Sequence, residues 1–126
     1  MRALVDELEA AGIAVHIASA SHLTLVRAGA RHLNLPAARI LGMDPTPCAA
    51  DPARTVRTLR TSTYGPDKAG AVQALLGGPP LAAFGDSVLF TDKQLLDSAH
   101  LPFAVATRGA HRAAALAHPR MILVDS

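Results

Sequence analysis

Three residues of this 126-residue chain stand where a phosphate and a cation could be handled together. Ser19 closes the apolar run "IAVHIAS", Lys68 opens the helical run "PDKAGAVQALL", and Asp86 follows the apolar run "LAAFG". A second acid, Asp92, comes six positions after Asp86. A serine hydroxyl beside the N–H groups of a helix start can hold a phosphate oxygen. One or two carboxylates, with water and phosphate oxygens, can hold Mg²⁺. A lysine set against the helix dipole suggests a specific anion nearby.

Each residue also has a plain structural explanation. Ser19 can be a turn serine, and Gly85-Asp86-Ser87 are turn formers that lead into a helix. Asp92 suits the first turn of that helix, where the macrodipole favours an acid. Lys68 is the hardest to explain this way. It is one of two lysines among twelve Lys and Arg. It falls in a first helical turn, where the dipole disfavours a cation, so a nearby anion is expected in place of solvent. The six histidines show no metal-ligand spacing. His16 reads as a core or rim residue and the others as helix-surface residues. Cys48 stands alone, and no glycine-rich loop matches a nucleotide fingerprint.

The elements that must position these residues follow from hydrophobic periodicity. "RALVDELEAAG" is a helix ending at Gly12. "IAVHIAS", Ile13 to Ser19, is a β-branched apolar strand of the kind buried on both faces. "SHLTLVRAGARHLNL" is a helix with Ser21 as N-cap. "ARILG" is a short strand, residues 44–52 a proline-rich loop, and "RTVRTLRTSTYG" an alternating exposed strand or hairpin. "GPDKAGAVQALLGG" is a helix opened by Pro66 and closed by Gly77-Gly78. "LAAFG" is a strand, "DKQLLDSAH" a helix, "PFAVAT" a strand, "RGAHRAAALAH" a helix and "MILVD" a last strand. Strands alternating with helices predict a three-layer, Rossmann-like α/β domain over residues 1–126, its parallel sheet covered on both faces. Ligands of such sheets bind beyond the carboxyl ends of the strands, at the positions of Ser19-Ala20-Ser21, Gly85-Asp86-Ser87 and Thr107-Arg108.

Composition sets the outer limits. Half of the residues are hydrophobic but only 3% are aromatic, and 26 are Ala, so the core is aliphatic with close backbone approaches. The net charge of +2 is spread along the chain, which argues for no nucleic-acid partner. No apolar run reaches the roughly 18 residues of a membrane span, and the start "MRALVDELEAAG" has acids where a signal peptide is basic. A single cysteine fits a reducing compartment. The expectation is a cytoplasmic protein with no membrane partner.

Taken in order, these segments resemble the haloacid dehalogenase superfamily, in particular its phosphoserine-phosphatase-like branch. "IAVHIASAS" is similar to the second motif of that family, "YGPDKAGAVQALL" to the third and "LAAFGDSVLFTDKQLLDSAH" to the fourth. The resemblance implies a Mg²⁺-dependent phosphatase of small phosphomonoesters. Under it Ser19 binds the phosphate and Lys68 neutralises the nucleophile and the phosphoryl group. Asp86 binds the metal, and Asp92 either reaches the metal through water or orients Lys68. The gap from Asp86 to Asp92 is longer than the family's usual one and implies an extended loop.

The first motif of the family, an apolar strand followed by Asp-x-Asp, is absent, as is the cap domain. The chain therefore resembles the C-terminal portion of such a phosphatase, incomplete at its N-terminal central strand. The implied missing part is an N-terminal segment or a partner strand in trans. The alternative is a non-catalytic remnant that keeps only the phosphate and metal sites. A phospho-acceptor signalling domain ranks last, because Ser19 rather than an acidic pair follows the first strand, and Arg108 rather than Lys follows "PFAVAT".

Overall fold

The computed structural model describes residues 1–45 and 61–125. The chain falls into two compact units, Met1–Thr63 and Tyr64–Ser126. Both are α/β with parallel pairing, and the strands form two sheets in place of the expected one: β1-β2 in the first unit and β3-β4-β5 in the second. The loop expected over residues 44–52 and the strand or hairpin over 54–65 lie largely outside the described residues, as does Cys48. Where that stretch is described, Thr61 makes an antiparallel bridge to Asp44.

In the first unit, helix α1 (Arg2–Ala10) leads to strand β1 (Ile17–His22), helix α2 (Leu23–Ala30) and strand β2 (Ile40–Met43). Short 3₁₀ turns, Arg31–Leu33 and Ala37–Arg39, join the last two. Strand β1 begins four residues later than the sequence suggests and runs on through Ser19 to His22. Apolarity marks Ile13 to Ile17 as strand-like, but what fixes the strand is pairing with β2: Ile17 lies opposite Ile40 and Ala18 opposite Leu41. The next pair is His22 with Met43, so four steps along β1 match two along β2. Ser19, Ala20 and Ser21 occupy this bulge. The strand is half-buried, not buried on both faces.

The helix after β1 is capped by His22, not Ser21. The His22 Nδ1 accepts the Thr24 N–H at 3.2 Å. Gly42 lets α2 start hard against β2, since a Cβ there would lie 2.7 Å from the Leu23 Cα. At the other end of the unit, Glu9 accepts the Val15 N–H at 2.6 Å and bonds the Arg39 guanidinium at 2.8 Å from each oxygen. That cluster ties the end of α1 to the turn before β2, over a small core that includes Val5, Ala30, Leu33 and Ile40.

In the second unit, α3 (Pro66–Leu76), β3 (Ala82–Gly85), α4 (Lys93–Ser98), β4 (Leu101–Val105), α5 (Gly109–Ala117) and β5 (Ile122–Val124) follow the predicted order. One sheet face presents Ala83, Ala104 and Leu123 to the helices, with Leu95, Leu96 and Ala99 from α4 and its end and Ala114 and Ala115 from α5. The small residues on the strands are what allow the helices this close. The other face carries Phe84, Phe103, Ile122 and Val124. Phe84 and Phe103 are register partners and stack at 4.5 Å, yet Phe84 remains 48% exposed. Helices thus cover the alanine face, and the aromatic face is partly exposed, where the sequence predicted cover on both. Among the described residues no helix is long and apolar enough to cross a membrane.

Candidate functional site

The carboxyl end of β3 gathers a polar arrangement of residues distant in sequence. After Gly85 the chain turns through Asp86 to Asp92 and enters α4. Ser87 organises the turn: its carbonyl accepts the N–H groups of Phe90 at 3.1 Å and Asp92 at 3.2 Å, and its Oγ accepts the Thr91 N–H at 3.2 Å. The longer gap between the two acids is thus a closed turn with its own hydrogen bonds.

Asp92 sits at the N-cap position of α4 but does not cap it. Its side chain folds back over the strand end. Oδ2 accepts the Ser87 N–H at 3.1 Å, and Oδ1 accepts from the Lys68 Nζ at 2.5 Å. The absence of a side chain at Gly85 makes this possible, because a Cβ there would lie 2.8 Å from the Asp92 Oδ2 and 2.9 Å from its Cβ.

Lys68 reaches the same point from α3. Gly65 and Pro66 set the start of that helix, with the Lys68 N–H bonded to the Gly65 carbonyl at 3.1 Å. Lys68 is only 4% exposed, which rules out a solvated surface lysine. The anion that its unfavourable place in the first turn calls for is Asp92. The Asp92 side chain is 14% exposed, so the pair is largely withdrawn from water. Such a pair is worth keeping only when its remaining donors and acceptors are met. Asp92 has both oxygens engaged.

Asp86, one step beyond β3, is exposed. It therefore meets the least demand of Mg²⁺, one carboxylate with water and phosphate oxygens completing the shell. Asp92 as described has no uncommitted oxygen. Among the described residues no group of three or more His, Cys, Asp or Glu could hold a metal ion by itself.

Ser19 belongs to the first unit and lies within strand β1, third of its six residues, not after its end. Its Oγ accepts the Ser21 N–H at 3.2 Å, and its carbonyl accepts the hydroxyl of the fully buried Thr63. It lines a shallow, mostly apolar groove of about 310 Å³ with Ile17, Leu25, Val26 and Leu33. The second unit brings Lys68, Asp92 and the Asp86 turn together; Ser19 lies in the first unit, within the β1 bulge. Sequence reasoning missed Thr63, whose only signal was its place just before the Gly-Pro turn. It also missed the packing role of Gly85, which nothing short of the fold could show.

No protein-family model matches the chain, and neither a curated protein nor a solved structure matches it.

Proposed function

We propose that this chain is the scaffold of a Mg²⁺-dependent, phosphatase-type hydrolase of small phosphomonoesters, of the haloacid dehalogenase kind. The observation that carries the reading is the buried Lys68–Asp92 pair at the carboxyl end of a parallel strand, one turn from the exposed carboxylate of Asp86. Lysines are seldom buried, and this one is aimed at a strand end, where ligands of α/β sheets bind. In this reading Asp86 takes the ion and Lys68, oriented by Asp92, offsets phosphoryl charge. The resemblance also assigns Ser19, in the first unit, a phosphate hydrogen bond.

No Asp-x-Asp occurs in residues 1–126. The reading therefore requires an aspartyl nucleophile from outside these residues, upstream on one polypeptide or on a strand in trans. General acid–base help alone is typically worth about 10²- to 10⁴-fold, and a covalent route adds to it. The 126-residue chain alone should turn over an aryl phosphate with Mg²⁺ at close to the background rate. A longer polypeptide with the upstream strand should turn it over well and lose that activity in Asp86→Asn. Robust turnover by the chain alone would mean that another carboxylate serves as nucleophile, and the reading would fail.

A second reading rests on the same pair. Each oxygen of Asp92 already accepts a hydrogen bond, an arrangement that also suits a clamp between α3 and the start of α4. The chain is then a non-catalytic module. Inactivity of the longer polypeptide, with the pair intact, would favour this reading.

A further inference from the structure

Three of the six histidines accept a backbone N–H through Nδ1. His22 accepts from Thr24 and His118 from Arg120, each at 3.2 Å and each only two residues on. Those bonds close local turns. His111 is different: its Nδ1 accepts the Leu89 N–H at 3.3 Å across 22 residues. The bond joins the first turn of α5 to the turn between β3 and α4. Beside it the Phe90 ring meets the His111 ring edge-on, 5.4 Å between centroids at 66°.

The other ties of the β3–α4 turn leave its crest to His111. Val88 is buried in the core with Leu96, Ala104 and Ala115. Phe90, Thr91 and Asp92 give their N–H groups to Ser87, inside the turn. Lys68 holds the far end through Asp92. Among residues 87–91, only the Leu89 N–H donates to another element.

Such a bond needs a lone pair. Because Nδ1 accepts, the proton of the neutral ring is on Nε2. A ring that takes a second proton has N–H on both nitrogens and accepts at neither. It would then face the Leu89 N–H donor against donor. His118 has the Asp97 carboxylate 3.3 Å from its Nε2 to balance a positive ring. No carboxylate among the described residues pairs with His111. The surrounding charges are engaged elsewhere: Asp92 with Lys68, Asp97 with Lys93 and Asp125 with Arg112. Asp86, on the turn, makes no ion pair with His111, and Arg108 at the N-cap of α5 adds only like charge. The N-terminal turn of a helix gives a positive ring no support either.

We infer that His111 is a pH-sensitive latch on the turn that carries Asp86. Neutral, it holds the crest of the turn, at Leu89 and Phe90, against α5. Protonated, it lets the crest go, so the turn is fastened near neutral pH and opens at its crest in mild acid. The inference is independent of the phosphatase-type reading and needs no ion.

Amide–water exchange NMR of the 126-residue chain reads the latch at the Leu89 N–H. Histidines ordinarily gain their proton between about pH 7.5 and about pH 5. Over that span Leu89 protection, corrected for the intrinsic pH dependence of exchange, should fall roughly three- to tenfold, the range of one net hydrogen bond. Protection at Leu96, bonded to the Asp92 carbonyl, should stay level. His111→Phe keeps a ring but has no acceptor, so Leu89 should be open at both ends of the span. His111→Asn offers an amide oxygen that accepts and does not titrate, so protection should return and be equal at both ends. Amide spectra check that each variant is folded. Level Leu89 protection in the unaltered chain, a fall shared equally by Leu96, or a fall that His111→Asn retains overturns the inference. So does an imidazole nitrogen NMR spectrum at the upper pH with the His111 proton on Nδ1.

Discussion

The Lys68 ammonium and the Asp92 carboxylate meet at 2.5 Å across 24 residues of sequence, with the lysine almost wholly buried. Their contact joins the first turn of α3 to the turn that closes over β3. Removing one partner leaves the other as an uncompensated charge out of water, which costs about 3–5 kcal/mol for a buried pair. Lys68→Met and Asp92→Leu should each destabilise the protein by roughly that much. The double variant should cost much less than the sum, since no charge is then stranded. Urea unfolding of the four proteins gives the coupling directly, and additive losses would show the pair to be energetically idle.

Gly85→Ala tests the same contact without touching a charge. The added methyl would lie within 3 Å of the Asp92 carboxylate, so the turn must move or the pair must open. Overpacking of this kind costs about 1–3 kcal/mol. The chemical shift of the Lys68 Nζ protons should move toward that of a free lysine. An unchanged signal would mean that the turn yields elsewhere. Gly42→Ala is the counterpart in the first unit, with backbone rather than a side chain in the way, and should be the more damaging of the two.

The order and kind of the elements in the second unit were legible from the sequence because each carries its own local signal. Pro66 and Gly77-Gly78 bracket α3, and "LAAFG" and "PFAVAT" are too short and apolar for surface helices. The first unit was less legible. Ser19-Ala20-Ser21-His22 has no strand propensity and reads as a strand end followed by a cap. It is extended because β2 lies beside it, and a one-dimensional pattern does not contain that pairing. The site shows the same division. Lys68 stood out through a conflict with the helix dipole, and Asp86 through its place after a strand. Orienting Lys68 was one of the two roles that the resemblance implied for Asp92, and the contact is present; the residue types alone asked only for some anion, because the contact depends on a missing side chain at Gly85. The exposed aromatic face of the β3-β4-β5 sheet was also illegible, since "LAAFG" looks the same whether one face or both are covered.

Glu9 should make the first unit sensitive to acid. Its carboxyl is held below the ordinary value of 4.5, first by the Val15 N–H and then by the Arg39 guanidinium. A carboxyl whose folded value is depressed contributes stability that is present above its unfolded value and is lost as the pH falls through the folded one. The loss therefore begins below about pH 4.5 and grows on further acidification. Glu9→Gln should flatten this part of the pH profile. The effect is modest, because the pair is partly open to solvent. An NMR titration of the Glu9 carboxyl carbon checks it, and a midpoint at or above the ordinary value would contradict the geometry.

The last prediction concerns the ion. Asp86 offers one exposed carboxylate, while Asp92 has one oxygen on Lys68 and the other on the Ser87 N–H. An ion held by a single protein carboxylate is weakly bound, on the order of 10⁻³ M or weaker, until phosphate oxygens join its shell. Mn²⁺ can stand in for Mg²⁺ and reports its place by broadening nearby amide signals. Broadening should be greatest at Gly85, Asp86 and Ser87, should sharpen in extent when inorganic phosphate is added, and should vanish in Asp86→Asn. Asp92→Asn should have a different effect: it frees Lys68 beside the ion and weakens binding by charge repulsion, without removing the site. Broadening centred instead on Asp97 or Asp125, the acids of α4 and just beyond β5, would mean that the carboxyl end of β3 does not take a cation. The Lys68–Asp92 pair would then be read as a clamp alone.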